Sequence, residues 1–130
     1  MRLGFLASHS GSGMRAIVAA AAGGGLPVAP VVVISNNRDS EALVFARQYG
    51  IAAHHLSAKV CGDEFRADQA ITATLEQAGV QLVILSGYMR KLGPVTLARF
   101  RDRILNIHPA LLPKYGGKGM YGARDRKSVV

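Results

Sequence analysis

The sequence is poor in cysteine, aromatic residues and charge, and no apolar run in it is long enough to cross a bilayer. Its 130 residues include one cysteine and no tryptophan, with 6% aromatic and 18% charged residues. The lone Cys61 cannot form an internal disulfide, which is consistent with a reducing compartment. We expect neither a signal peptide nor a transmembrane helix, and a cytoplasmic location. A hydrophobic fraction of 49% favours one folded domain with a substantial core.

Acidic residues are scarce in the last third of the chain. Residues 1–89 hold six basic and six acidic side chains, so the net charge of +8 arises entirely from residues 90–130. Such a segment can bind nucleic acid, but it contains no regular basic helix and no series of aromatic residues for stacking bases. An anionic small-molecule substrate explains part of the charge, and a missing acidic continuation explains the rest. We therefore expect small-molecule partners, no nucleic acid and no membrane, and the sequence leaves the oligomeric state open.

Apolar runs alternate along the chain with segments of helical periodicity. This pattern predicts an α/β fold, with a mostly parallel sheet covered by helices on both faces. The expected strands are residues 3–7, 28–34, 52–55, 80–85 and 104–107. The expected helices are residues 14–22, a segment capped by Asp39 or Ser40 and ending near 49, 63–77 and 94–100. Ligands in such folds bind beyond the carboxyl ends of the strands.

An amide and an imidazole stand two residues apart near the end of the last strand. Alternation along a strand puts Asn106 and His108 on the same face, and Pro109 ends the backbone hydrogen bonding directly after them. Such a pair suits a reaction in which a carbonyl oxygen gains negative charge while a proton moves. In isolation, such a pair would fit a polar strand end followed by a proline turn better than a catalytic site.

A glycine-containing turn follows the first strand. Gly11, Ser12 and Gly13 begin a G-x-G-x-x-A pattern between a strand and a helix, where free backbone N–H groups can bind a phosphate. The pattern alone is weak, since a tight turn needs glycine for structural reasons. A dinucleotide site would require an acidic residue after the second strand, where this chain has SNNR at residues 35–38. This composition argues against NAD, although Arg38 leaves NADP open.

Three stretches together resemble the folate-dependent formyltransferases, and most closely the branch that formylates glycinamide ribonucleotide in purine biosynthesis. They are SHSGSG at residues 8–13, SGYMRKL at residues 86–92 and NIHPALLP at residues 106–113. The resemblance implies a Rossmann-like fold with 10-formyltetrahydrofolate as formyl donor and no metal. His54 and His55 have no suitably spaced partner for a metal site.

The resemblance also implies roles for individual residues. Asn106 and His108 would be catalytic, and the backbone of Gly11, Ser12 and Gly13 would hold the ribonucleotide phosphate. The family usually has asparagine where this chain has Gly13. The loop of Met89, Arg90, Lys91 and Leu92 would border the pterin of the folate, although its two cations could equally be solvated surface charges.

The end of the chain departs from the family. We expect a formyltransferase domain over residues 1–122 and a divergent tail over residues 123–130. This pattern favours a chain that is truncated or altered at its C-terminus, and the alternative is a divergent small relative. The family continues through further elements, which include a loop with an essential aspartate. The alternatives from the sequence are a formyltetrahydrofolate deformylase, a methionyl-tRNA formyltransferase, and a phosphate-binding module without catalytic activity.

Overall fold

Five parallel strands alternate with helices in the computed structural model, which describes residues 1–107. The strands are β1 (Arg2–Ala7), β2 (Ala29–Ser35), β3 (Ala52–His55), β4 (Leu82–Ser86) and β5 (Ile104–Ile107). The helices are α1 (Ser12–Ala22), α2 (Glu41–Gln48), α3 (Ala58–Cys61), α4 (Glu64–Gln77) and α5 (Pro94–Arg99). The predicted α/β architecture is confirmed, whereas the predicted boundary at residue 122 and the tail 123–130 lie outside the described residues.

The strands form one sheet in the order β3-β2-β1-β4-β5, and every pair is parallel. The chain therefore proceeds from β1 toward one edge and then returns across β1 to build the other half. This reversal of direction between β1 and β4 is the topological switch point, where open α/β sheets form a crevice at the carboxyl ends of their strands.

Each face of the sheet carries its own hydrophobic core, because successive residues of a strand point to opposite faces. On one face Phe5 packs with Met14 of α1 and Leu43 of α2. On the other face Leu6 packs with Leu75 of α4 and with Phe100, which follows α5. Parallel strands buried on both sides explain the nearly continuous apolar runs that the sequence shows.

The packing of α4 on the sheet depends on a glycine in the central strand. A Cβ atom at Gly4 of β1 would lie 2.8 Å from Leu75 Cδ2 and 2.8 Å from Val80 Cγ2. A larger residue would have to displace the buried side chains of Leu75 and Val80, so this position favours the smallest side chain.

Two helix starts follow the predicted capping. Ser40 Oγ accepts a hydrogen bond from Leu43 N–H at 3.4 Å, which selects Ser40 over Asp39 as the cap of α2. Asp63 Oδ1 accepts from Arg66 N–H at 2.7 Å at the start of α4, and α4 ends at Gln77 as predicted. Among residues 1–107, no helix has the length and apolar character needed to cross a membrane.

Other local predictions need correction. The strand expected from residue 80 begins at Leu82, although Val80 is already buried. The short helix α3 was not predicted. The buried face of α4 includes Asp68 and Thr72 beside its apolar residues, while Thr74 is only half-buried.

Candidate active site

The predicted site segments in the described part of the chain meet at the carboxyl edge of the sheet. In the strand register Leu6 pairs with Leu85, and Leu85 pairs with Asn106. Asn106 of β5 thus lies level with the last residues of β1 and β4, and its side chain is half-buried. His108, its predicted catalytic partner, lies outside the described residues.

The glycine turn, residues 8–13, leads from β1 into α1. Gly11 caps α1 with φ 64° and ψ 48°, a left-handed conformation that favours glycine, and makes no side-chain cap bond. Arg15 N–H is bonded to Gly11 O at 2.8 Å and Met14 N–H to Ser86 Oγ at 3.1 Å. For the N–H groups of Ser12 and Gly13, the described residues provide no acceptor. Within residues 1–107 these two donors are therefore unpaired at a helix N-terminus, the arrangement that binds anions.

The β4–α5 loop, residues 87–93, begins with Gly87 at φ 68°. Its backbone is held by Ser8, since Met89 N–H donates to Ser8 Oγ at 2.7 Å and Gly87 O accepts from Ser8 N–H at 3.3 Å. The Met89 side chain is 69% exposed. An exposed methionine on a fixed backbone can pack on a flat ligand.

A cavity of about 290 Å³ opens between the β4–α5 loop, α4 and the segment that follows β3. The predicted loop residues Arg90, Lys91 and Leu92 line it, whereas Met89 does not. Its wall combines apolar side chains with both signs of charge: Leu56, Ile71, Leu92, Glu64, Asp68, Arg90 and Lys91. The volume is near the lower end of the range for small-molecule sites, and such mixed walls orient a ligand through a few polar contacts.

Tyr88 also lines this cavity. Burial raises the pKa of its phenol above the ordinary value of 10.0, an effect that the charge of Arg90 opposes and that of Glu64 increases. The phenol is therefore neutral at physiological pH, and its hydroxyl can both donate and accept a hydrogen bond.

The far end of the loop is fixed by a residue that was not predicted from the sequence. Asp68 of α4 is 4% exposed, and its Oδ2 accepts from Val95 N–H at 2.8 Å. Its Oδ1 accepts from Thr96 N–H at 2.9 Å and from Thr96 Oγ1 at 2.6 Å. The carboxylate thus caps α5 from a different helix. A Cβ at Gly93 would lie 2.3 Å from Asp68 Cγ, so the approach also requires glycine there.

A sequence signal for Asp68 did exist. Asp68 precedes Ile71 by three residues and Leu75 by seven, so it shares the buried face of α4 with them. An acid at such a position needs partners inside the fold, because buried carboxylates are paired or hydrogen-bonded. Among residues 1–107, no group of His, Cys, Asp or Glu is arranged to hold a metal ion.

Comparison with known proteins gives a consistent result. The family described as formyl transferase matches residues 1–125. The chain is 38% identical over 120 residues to phosphoribosylglycinamide formyltransferase of Haemophilus influenzae, covering 92% of this chain and 57% of the relative. It is 36% identical over 117 residues to the Escherichia coli protein of the same name, covering 90% of this chain and 55% of the relative.

Solved structures agree with the sequence matches. Glycinamide ribonucleotide transformylase 1 from Symbiobacterium toebii superimposes with a TM-score of 0.79 at 38% identity, over 83% of this chain and 51% of that one. The chain spans little more than half the length of the curated relatives that it matches. The family match over nearly the whole chain, together with the parallel sheet, shows that this chain belongs to the formyl transferase family.

Proposed function

We propose that the chain forms the substrate-binding part of an enzyme that transfers a formyl group from 10-formyltetrahydrofolate to the amine of glycinamide ribonucleotide. The observation that carries this proposal is the meeting of three features at one sheet edge. These are the free N–H groups of the glycine turn, the cavity beside the β4–α5 loop, and Asn106 level with the ends of β1 and β4.

Each feature suits one part of the reaction. The N–H groups of Ser12 and Gly13, at a position where Gly11 turns the chain, would hold the phosphate of the ribonucleotide. The cavity lined by Arg90, Lys91 and Leu92 would hold the pterin of the folate, with Met89 at its margin. No metal is required, because the developing charge is on one oxygen that hydrogen-bond donors can stabilise.

Asn106 and His108 would act on the formyl group itself. The neutral amine forms a bond to the formyl carbon, and the carbonyl oxygen becomes an oxyanion in the tetrahedral intermediate. The Asn106 amide and a protonated His108 would donate hydrogen bonds to that oxygen. The bond between the carbon and N10 of the folate then breaks, and His108 would pass its proton to the departing nitrogen. The neutral His108 would then take up the proton that the newly formylated amine must lose, which restores the protonated imidazole.

Substitutions in a chain extended through the rest of the family's length test these roles. We expect Asn106→Ala and His108→Ala each to lower turnover by roughly a hundred- to a thousandfold, the usual loss when one oxyanion donor is removed. Gln69→Ala, which removes an exposed side chain on α4, is the matched control and should leave turnover unchanged. Near-normal turnover in either site variant would contradict its assigned role.

The same assay separates the related activities. Formyl transfer to glycinamide ribonucleotide supports the proposal, whereas release of formate without transfer would indicate a deformylase. Formyl transfer only to methionyl-tRNA would indicate a methionyl-tRNA formyltransferase. Binding of ribose 5-phosphate with no binding of a folate would indicate a non-catalytic phosphate-binding module.

A further inference from the structure

Two buried serines lie on either side of the topological switch point. Ser8 directly follows β1, and Ser86 is the last residue of β4. Each is 1% exposed, although both stand where strands give way to loops. A buried hydroxyl at such a place needs hydrogen-bond partners, so its contacts indicate what it holds in position.

Ser8 belongs to the glycine turn but fixes the loop on the other side of the switch point. Its Oγ accepts from Met89 N–H at 2.7 Å and donates to Asn36 Oδ1 at 2.6 Å. The two partners occupy both roles of the hydroxyl, as donor and as acceptor. Asn36 also lines the cavity. The Ser8 side chain thus connects Asn36, a lining residue of the cavity, to the backbone of the β4–α5 loop at Met89, although neither Ser8 nor Met89 lines the cavity.

Ser86 makes the reciprocal contact. It precedes the β4–α5 loop, yet its Oγ accepts from Met14 N–H at 3.1 Å in the first turn of α1. This bond satisfies one of the N–H groups that a helix N-terminus leaves without an intrahelical partner. It also anchors the first turn of α1 against β4, and with it the N–H groups of Ser12 and Gly13.

From this exchange of contacts we propose that Ser8 and Ser86 are positioning residues that act crosswise. Ser8 positions the β4–α5 loop for the folate, and Ser86 positions the N-terminus of α1 for the phosphate. This inference rests on the proposed function, because that proposal assigns a ligand to each segment. Each hydroxyl is next in the sequence to one ligand-binding segment and positions the other segment.

Ligand titrations of single alanine variants of the 130-residue chain test the crossed pattern. Backbone amide NMR would follow binding of 5-formyltetrahydrofolate, as a folate probe, and of ribose 5-phosphate, as a phosphate probe. We expect Ser8→Ala to raise the Kd of the folate probe about three- to tenfold, the range that one hydrogen bond usually contributes. The Kd of the phosphate probe should change less than about twofold. Ser86→Ala should show the reverse.

Amide hydrogen exchange tests the two hydrogen bonds without a ligand. The Met89 amide should exchange faster in Ser8→Ala and the Met14 amide faster in Ser86→Ala, because each loses its acceptor. Ser40→Ala is the matched control, since it removes a buried cap bond in α2 and the hydrogen bonds of Ser40 itself are to Asn37, Leu43 and Val44, outside both segments. It should lower stability and leave the Kd of both probes unchanged.

The outcomes distinguish this inference from the proposed function. If the wild-type chain binds both probes normally, two results would overturn the crossed roles alone. In the first, each variant loses affinity equally for both probes. In the second, each variant loses affinity only for the probe of its own segment. Failure of the wild-type chain to bind either probe would overturn the crossed roles, whereas the proposed function would still be decided by formyl transfer in the extended chain. If an alanine variant does not fold, Ser8→Cys or Ser86→Cys replaces it, since a thiol of similar shape is only a weak acceptor. The same crossed pattern is expected, and its absence would overturn the inference.

Discussion

Replacing Asp68 with alanine should destabilise the protein more than removal of an ordinary helix cap. The Asp68 carboxylate accepts three hydrogen bonds across the α4–α5 contact, from Val95 N–H, Thr96 N–H and Thr96 Oγ1. Alanine removes all three acceptor contacts at a position that is 4% exposed. The loss then depends on which donors can find a new partner.

The three donors differ in this respect. Thr96 Oγ1 keeps contacts with Thr72 Oγ1 at 2.8 Å and with Asp68 O at 3.3 Å, so it remains satisfied. Val95 N–H is half-buried beside the cavity, where water can replace the carboxylate at a net cost of about 1 kcal/mol. Thr96 N–H is buried, and leaving such a donor without an acceptor costs about 1–3 kcal/mol. We therefore expect a total loss of about 2–4 kcal/mol.

Urea denaturation followed by far-UV circular dichroism measures this loss directly. Asp63→Ala is the matched control, because Asp63 makes a cap bond to Arg66 N–H at an exposed site and should cost about 1 kcal/mol. Asp68→Asn should fall between Asp68→Ala and the wild type, since it keeps one acceptor oxygen but directs an NH₂ group at a donor. A loss in Asp68→Ala no larger than that in Asp63→Ala would show that the Asp68 carboxylate stabilises the fold no more than an ordinary helix cap.

Three further predictions address the cavity, the glycine turn and the length of the chain. Because the pKa of Tyr88 is raised in the folded state, the free energy of unfolding should fall as the pH rises above the ordinary tyrosine value of 10.0. Tyr88→Phe should reduce that fall in urea denaturation series, and identical pH profiles would contradict the shift. Gly13→Leu should weaken the binding of ribose 5-phosphate far more than the binding of 5-formyltetrahydrofolate in NMR titrations, because Gly13 is buried at the helix start. Equal losses of affinity would show that the turn is only structural. Compared with a chain extended through the family's remaining elements, the 130-residue chain should transfer little or no formyl group. Comparable rates of the two chains in a formyl-transfer assay would show that the shorter chain suffices.

The sequence predicted those parts of the fold that depend on local chemistry. The strand at residues 104–107 and the helix between Asp63 and Gln77 have the predicted bounds. Apolar periodicity and side-chain caps determine such elements, and both can be read within a few residues. The short helix α3 was missed because it buries no residue, so it has no apolar pattern to detect.

The contacts that hold the candidate site together could not be predicted in this way. Ser8 and Met89 are 81 residues apart, and Met14 and Ser86 are 72 apart. Ser8 and Ser86 both occur in the stretches that resemble the formyltransferases, yet nothing in the sequence indicates which loop each would contact. Only the strand order brings β1 beside β4 and so places the two serines next to each other's loops.

The strand order also explains why such cross-connections are needed at this place. The helices that follow β1 and β4 pack on opposite faces of the sheet, because α1 contributes to the core of one face while Phe100, after α5, contributes to the core of the other. The glycine turn and the β4–α5 loop therefore diverge as they leave the sheet, which opens the crevice that can admit ligands. Because of this divergence, the two segments pack against different hydrophobic cores where they leave the sheet. The buried hydrogen bonds of Ser8 and Ser86 connect the two segments instead. If the proposed function is correct, we expect these bonds to determine how far apart the two substrates lie.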